Sequence, residues 1–189
     1  MLALVLYLTL APCLASEDRS AQVSEHQRLH VELERLAAKQ AWSGVERTWR
    51  DLLATGVDPE DGDRITAAQG ALALGDLSAA RERLLPVATR TEDRDVIETL
   101  YRIDHDYGRV RLVGSTELVI EERPFLPEAA AAVAFAAQRV AEEGRFEGHL
   151  PPGRYRYGME IIEVVPGEAV ELDLSEPARR RRRRPVRTW

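Results

Sequence analysis

The chain has 189 residues, of which 44% are apolar and 31% charged, with a formal net charge of -6; this is the profile of one ordinary folded domain or two small ones, and it argues against disorder throughout. Of 26 basic residues only Lys39 is lysine, and seven are the arginines Arg179, Arg180, Arg181, Arg182, Arg183, Arg184 and Arg187. Setting those seven aside leaves 19 basic against 32 acidic residues, so the body carries -13. A body that acidic repels phosphate and leaves any nucleic-acid binding to the tail alone.

Residues 1–15, MLALVLYLTLAPCLA, form an almost unbroken apolar run. As a helix it spans about 22 Å, short of the ~30 Å hydrocarbon core, so it reads as a secretory signal segment rather than a membrane span. Cleavage after Ala15 places the small residues Cys13 and Ala15 at -3 and -1. Leu10-Ala11-Pro12-Cys13 resembles a lipoprotein box except at Pro12, so a lipid anchor on Cys13 is the alternative to plain cleavage. No Lys or Arg accompanies the terminal amine ahead of the apolar run, which leaves a cytoplasmic protein with a mis-assigned start as a further reading. Cys13 is the sole cysteine, which excludes a disulfide framework and thiol catalysis in a mature chain.

From Ser24 to about Ala54 the pattern is helical. Leu29, Leu33 and Leu36 stand at i, i+4 and i+7, and Val45, Trp49, Leu52 and Leu53 repeat the period after a break near Trp42-Ser43-Gly44. Residues 56–63, GVDPEDGD, have the Gly, Pro and Asp density of a loop. A second helical pair follows, with small residues Ala68, Ala71 and Ala80 where helices approach, a turn at Gly75-Asp76, and Leu84 and Val87 on the return helix. Pro86 predicts a kink or an early stop in that helix.

These residues resemble a tetratricopeptide repeat. Val45 stands 35 residues before Ala80, as Trp49 does before Leu84, close to that family's ~34-residue period. The resemblance covers residues 29–107 and implies antiparallel helical hairpins over 20–107, with residues 95–106 as a capping helix and a surface for peptide or protein partners.

At Gly108 the texture changes. RVRLVGS and TELVIEE alternate apolar and charged residues as half-buried strands do, and RFEGHL, RYRYG, MEIIEVV and EAVELDL resume the alternation after a helix from Pro127 to Glu143 that Gly144 stops. Leu150-Pro151-Pro152-Gly153-Arg154-Tyr155 and Val165-Pro166-Gly167 resemble the small β-sandwich modules of bacterial envelope proteins, of the PEGA and carboxypeptidase-regulatory type. That resemblance implies a binding or spacing module over 108–175 with an inserted helix. The expected fold class is therefore α+β: helical hairpins, then a small β-sandwich, then the tail at 176–189.

Few constellations point to chemistry. His26 and His30 stand four apart on a helix with Glu25 and Glu34 nearby, a spacing that can hold a divalent metal on one face, but Arg28 opposes a cation there and solvated helix polar groups are the simpler reading. Asp104-His105-Asp106 diverges on a helix, and His149 has no acid at a recognisable spacing. GxSxG, GxxxxGK[ST], GxGxxG and CxxC motifs are missing, so the expectation is a non-enzyme with no cofactor and no metal. Trp42 and Trp49 are candidates for an aromatic platform. Tyr155 and Tyr157 share one face of a strand and Arg154 and Arg156 the other; the tyrosines are a candidate ligand face for a sugar or peptide, while core packing with solvated charge is the more frequent use of such a pattern.

The arginine run repels itself and is expected to stay extended and disordered. In an envelope its anionic partners are lipid head groups or lipopolysaccharide, and the acidic body itself competes for it. The sequence thus predicts a secreted or periplasmic scaffold or adaptor with an envelope protein or peptide partner. Alternatives are a glycan- or peptidoglycan-binding envelope module, and a cytoplasmic nucleic-acid-associated protein using its arginine tail.

Overall fold

A computed structural model describes residues 11–122 and 124–175, with side chains placed from Arg19 onward. The apolar run therefore begins outside the described residues. The Cys13 side chain and the whole arginine tail, with Arg179, Arg180, Arg181, Arg182, Arg183, Arg184 and Arg187, lie outside them too. Among the described residues the protein is α+β, with six helices and two three-stranded sheets. No described helix is long and apolar enough to cross a membrane. The chain divides into two compact units, Met1–Ala67 and Ala68–Trp189.

In the first unit α1 (Ala11–Ala38) pairs with α2 (Trp42–Ala54). The leucine stripe of α1 and the Val45, Trp49 and Leu52 stripe of α2 interleave, with Ala67, into one buried cluster. Trp49 is in that core and Trp42 packs against it, so these rings are packing groups rather than an exposed platform. Helix α1 starts well before Ser24. The break falls at residues 39–41, not at Trp42-Ser43-Gly44, which opens α2. Gln40 takes a left-handed φ of 54° there, and the Ala41 N–H donates to the Leu36 carbonyl, so an αL cap ends the helix without glycine.

Helix α3 (Asp61–Leu74) carries the chain across the division between the units. It ends at Gly75, φ 86°, where the Asp76 N–H reaches the Ala71 carbonyl at 2.9 Å. Asp76 is at once the N-cap of α4 (Leu77–Arg90), its carboxylate accepting from the Ala79 N–H at 3.0 Å. Pro86 does not stop α4. Leu84 and Val87 are both buried on either side of it, and this anchoring offsets the ~3 kcal/mol that an internal proline costs a free helix. Helix α5 (Arg94–Asp106) is capped by Asp93 and packs on α4.

The strands are β1 (Gly108–Val113), β2 (Leu118–Ile120), β3 (Arg145–Leu150), β4 (Gly153–Tyr157), β5 (Glu160–Val164) and β6 (Ala169–Asp173), with α6 (Pro127–Glu143) between β2 and β3. One sheet has the order β3-β1-β6, β1 running antiparallel to β3 and parallel to β6; the other is antiparallel, β2-β4-β5. Alternation decides what faces in: Val110 and Leu112 of β1, Phe146 and Leu150 of β3, and Ile162 and Val164 of β5 meet Ala136 and Val140 of α6 in a single cluster. Helix α6 approaches closely because its buried positions Ala129, Ala132 and Ala136 are small.

Tyr155 and Tyr157 are in that cluster, both 0% exposed. The Tyr155 hydroxyl donates to the Pro151 carbonyl at 2.7 Å, and the Tyr157 hydroxyl to the Gly114 carbonyl at the end of β1. Burial pushes both hydroxyls above the usual tyrosine range. Of the two uses the sequence offered for them, the ligand face is set aside and core packing holds: the tyrosine side of the strand is the inner one, and the rings fill the core and tie β4 to backbone at both its ends.

Candidate functional site

A cleft of about 810 Å³ opens in the second unit over the outward face of the β3-β1-β6 sheet. The pleat builds its floor. Glu147 and His149 of β3 point outward between the buried Phe146, Gly148 and Leu150, and Arg109 of β1 stands opposite His149 in the register. Its wall is the first turns of α4, which places Ser78 and Arg81 one turn apart on one face. Asp104 and Tyr107, from the end of α5, and Glu168, from the turn before β6, complete the lining with Glu82.

Three contacts organise the cleft. The His149 Nδ1 lies 3.2 Å from the Ser78 Oγ. Arg81 grips Asp104 with both ends of its fork, Nε to Oδ1 at 2.6 Å and Nη2 to Oδ2 at 3.2 Å. Arg109 reaches Glu147 at 3.1 Å. Burial pushes the half-buried His149 imidazole below the ordinary histidine range, against the pull of Asp104 and with the help of Arg81 and Arg109. It is therefore neutral near pH 7. Four carboxylates (Glu82, Asp104, Glu147, Glu168) then face two guanidiniums, and the cleft has an acidic balance of two. Asp104 and Glu147 are matched by the arginines; Glu82 and Glu168 are the carboxylates left over.

A hydroxyl beside an imidazole is one element of nucleophilic catalysis, which needs a third group to orient the base. Asp104 gives both oxygens to Arg81 instead, and Ser78 faces Nδ1. The arrangement fits hydrogen-bonded recognition better than proton relay.

The other sites weighed from the sequence are dispersed. His26 Nδ1 contacts the Thr55 hydroxyl at 3.2 Å, while His30 Nδ1 meets the buried Asp63 carboxylate at 2.6 Å, so each imidazole turns to its own partner. Asp63 holds the His30 imidazole above its ordinary range, burial opposing and Glu34 and Glu60 adding to it. Groups of three or more metal-ligating side chains are absent among the described residues. Asp104, His105 and Asp106 diverge, with His105 stacked on Tyr101 at 3.9 Å between ring centres. Sequence reasoning named His149 only to set it aside for want of an acid partner, and missed Ser78, Arg81 and Arg109; the signals were faint, an i,i+3 pair on α4 and outward positions on alternating strands. No protein-family model, curated protein or solved structure matches the chain.

Proposed function

We propose that this is a non-catalytic adaptor of the bacterial cell envelope, exported by its apolar N-terminal run. In this reading tetratricopeptide-like helical hairpins lead into a small β-sandwich of the PEGA or carboxypeptidase-regulatory kind. Its binding part is the cleft on the second unit, and its partner is an extended peptide segment carrying Arg or Lys. The observation that carries this is the charge arithmetic of the cleft: its guanidiniums are already matched, His149 is neutral, and Glu82 and Glu168 remain for a cationic group. Ser78 and His149 supply neutral hydrogen-bonding positions beside them. The arginine tail adds a salt-sensitive hold on lipid head groups or lipopolysaccharide, about 1 kcal/mol per arginine near an anionic surface.

The test is an ¹⁵N NMR titration with two peptides of equal length, one basic and one acidic. The basic peptide is expected to shift the Ser78, Gly148 and Glu168 amides, and Glu168→Lys to weaken it about tenfold, the loss of about one close charge pair. Equal response to both peptides refutes the reading. Ester hydrolysis that Ser78→Ala abolishes would make the site catalytic instead. Export is checked separately by the intact mass after fractionation, which should correspond to a start at Ser16.

A further inference from the structure

The cleft prefers a cationic chain, and the protein carries one: residues 179–184 and Arg187. We propose that the arginine-rich C-terminal segment occupies the protein's own cleft, as an intramolecular competitor that an external basic partner must displace. This rests on the reading of the cleft as a site for basic peptides and adds its regulation.

Reach and charge support it. Leu174 is still tied to the sheet, its N–H donating to the Val113 carbonyl at 2.6 Å. At Ser175 the chain turns out of the strand, the Ser175 N–H and hydroxyl both donating to Asp173 Oδ1 at 2.8 and 2.6 Å. From Leu174 back to the level of Glu168 is six residues along β6, about 20 Å at ~3.3 Å per residue, and the sequence runs on for 15 residues beyond Leu174, about 50 Å when extended. The arginine run begins five residues beyond Leu174 and ends ten beyond it, a length of chain sufficient to reach Glu168. One carboxylate on the route, Glu171, is already paired with Arg111 at 2.7 Å. Glu168 and Glu82 both line the cleft, and among the described residues neither has an ion pair of its own. A guanidinium on either one is a charge-assisted contact, stronger than a neutral hydrogen bond.

The experiment compares the full chain with a full-length variant carrying Gln at residues 179–184 (Arg179→Gln through Arg184→Gln), both followed by ¹⁵N NMR at low salt. The probe is a synthetic ARRRRRRPVR peptide. The Ser78, Gly148 and Glu168 amides should differ between the two chains and converge at ~1 M salt, where the screening length falls to about 3 Å. A tethered segment has an effective concentration of about 1 mM, so against a Kd of about 0.1 mM the native chain should bind the peptide about tenfold more weakly than the variant. If both chains bind it at the cleft with equal affinity, the segment does not occupy the cleft, and the basic-peptide reading survives alone. Peptide binding to neither chain overturns both. Amide differences that persist in a Glu168→Lys background would place the segment elsewhere and overturn the proposal.

Discussion

Replacing Gly75 with alanine tests how the helices of the second unit are joined to α6. Gly75 has a φ of 86°, a conformation that costs a residue with a Cβ about 1 kcal/mol. A Cβ built there would also lie 2.3 Å from the Ala131 carbonyl oxygen, 2.4 Å from its carbon and 2.6 Å from the Ala132 nitrogen. All three atoms are α6 backbone, so no side chain can swing aside. Relief needs the helix to withdraw by about 1 Å from ordinary contact distance, pulling the fully buried Ala132 and Ala136 off their neighbours, for about 2 kcal/mol more by analogy with overpacked cores. The expected loss is about 3 kcal/mol, or roughly 6–12 °C in Tm for a chain of this size. Gly167 in the same unit isolates the two contributions, because its φ is 72° but nothing lies within 4 Å of a Cβ placed there; Gly167→Ala should lose only about 1 kcal/mol. Thermal melts followed by circular dichroism give both values. If the two variants agree within about 0.5 kcal/mol, the close approach of α6 contributes nothing and the reasoning fails.

Two more outcomes are expected. Tyr157→Phe should destabilise by about 0.5–1.5 kcal/mol in urea unfolding by removing one of the two hydrogen bonds the Gly114 carbonyl accepts, the Thr116 N–H at 3.0 Å remaining, and Tyr157→Ala by about 3–5; a phenylalanine variant as stable as the native chain would show that the hydroxyl contact does not tie the sheets. His30 has a folded pKa raised by Asp63, so its contribution is fully present below the unfolded value of 6.5 and is lost as pH rises through the folded one. An NMR titration should find His30 above 6.5 and lowered by Asp63→Asn, with the native chain's stability advantage over that variant larger at pH 6 than at pH 8; a His30 titration that ignores Asp63→Asn refutes the pairing.

The elements were legible because their periods are strong. The 3.6-residue stripes of Leu29 and Leu33 or Val45 and Trp49 and the alternation of β1 and β4 each decide an element from neighbouring residues alone, and Gly75-Asp76 marks a turn that any sequence reading finds. What was not legible is which way a strand faces. Tyr155 and Tyr157 plainly share a side, but only the other sheet and α6 decide that this side is the inner one. Gln40 hid a helix end because left-handed caps are usually glycine. The cleft was hidden for a simpler reason: Ser78 and His149 are 71 residues apart, and no local pattern encodes such a meeting.

Strand β1 is the middle of its sheet, and its parallel partner β6 arrives late: Arg111 and Glu171, opposite one another and ion-paired, are 60 residues apart in the chain. At ~5–20 residues per second of synthesis, one edge of β1 waits about 3–12 s for its neighbour. Throughout that time an amide ladder able to recruit any extended segment is open. Its side chains Arg109 and Arg111, on the face away from the core, give the waiting strand a like-charged surface that discourages a second β1 from docking beside it. A ribosome stalled short of β6 would therefore release a species with a permanently open β1, the form of this protein most in need of a chaperone.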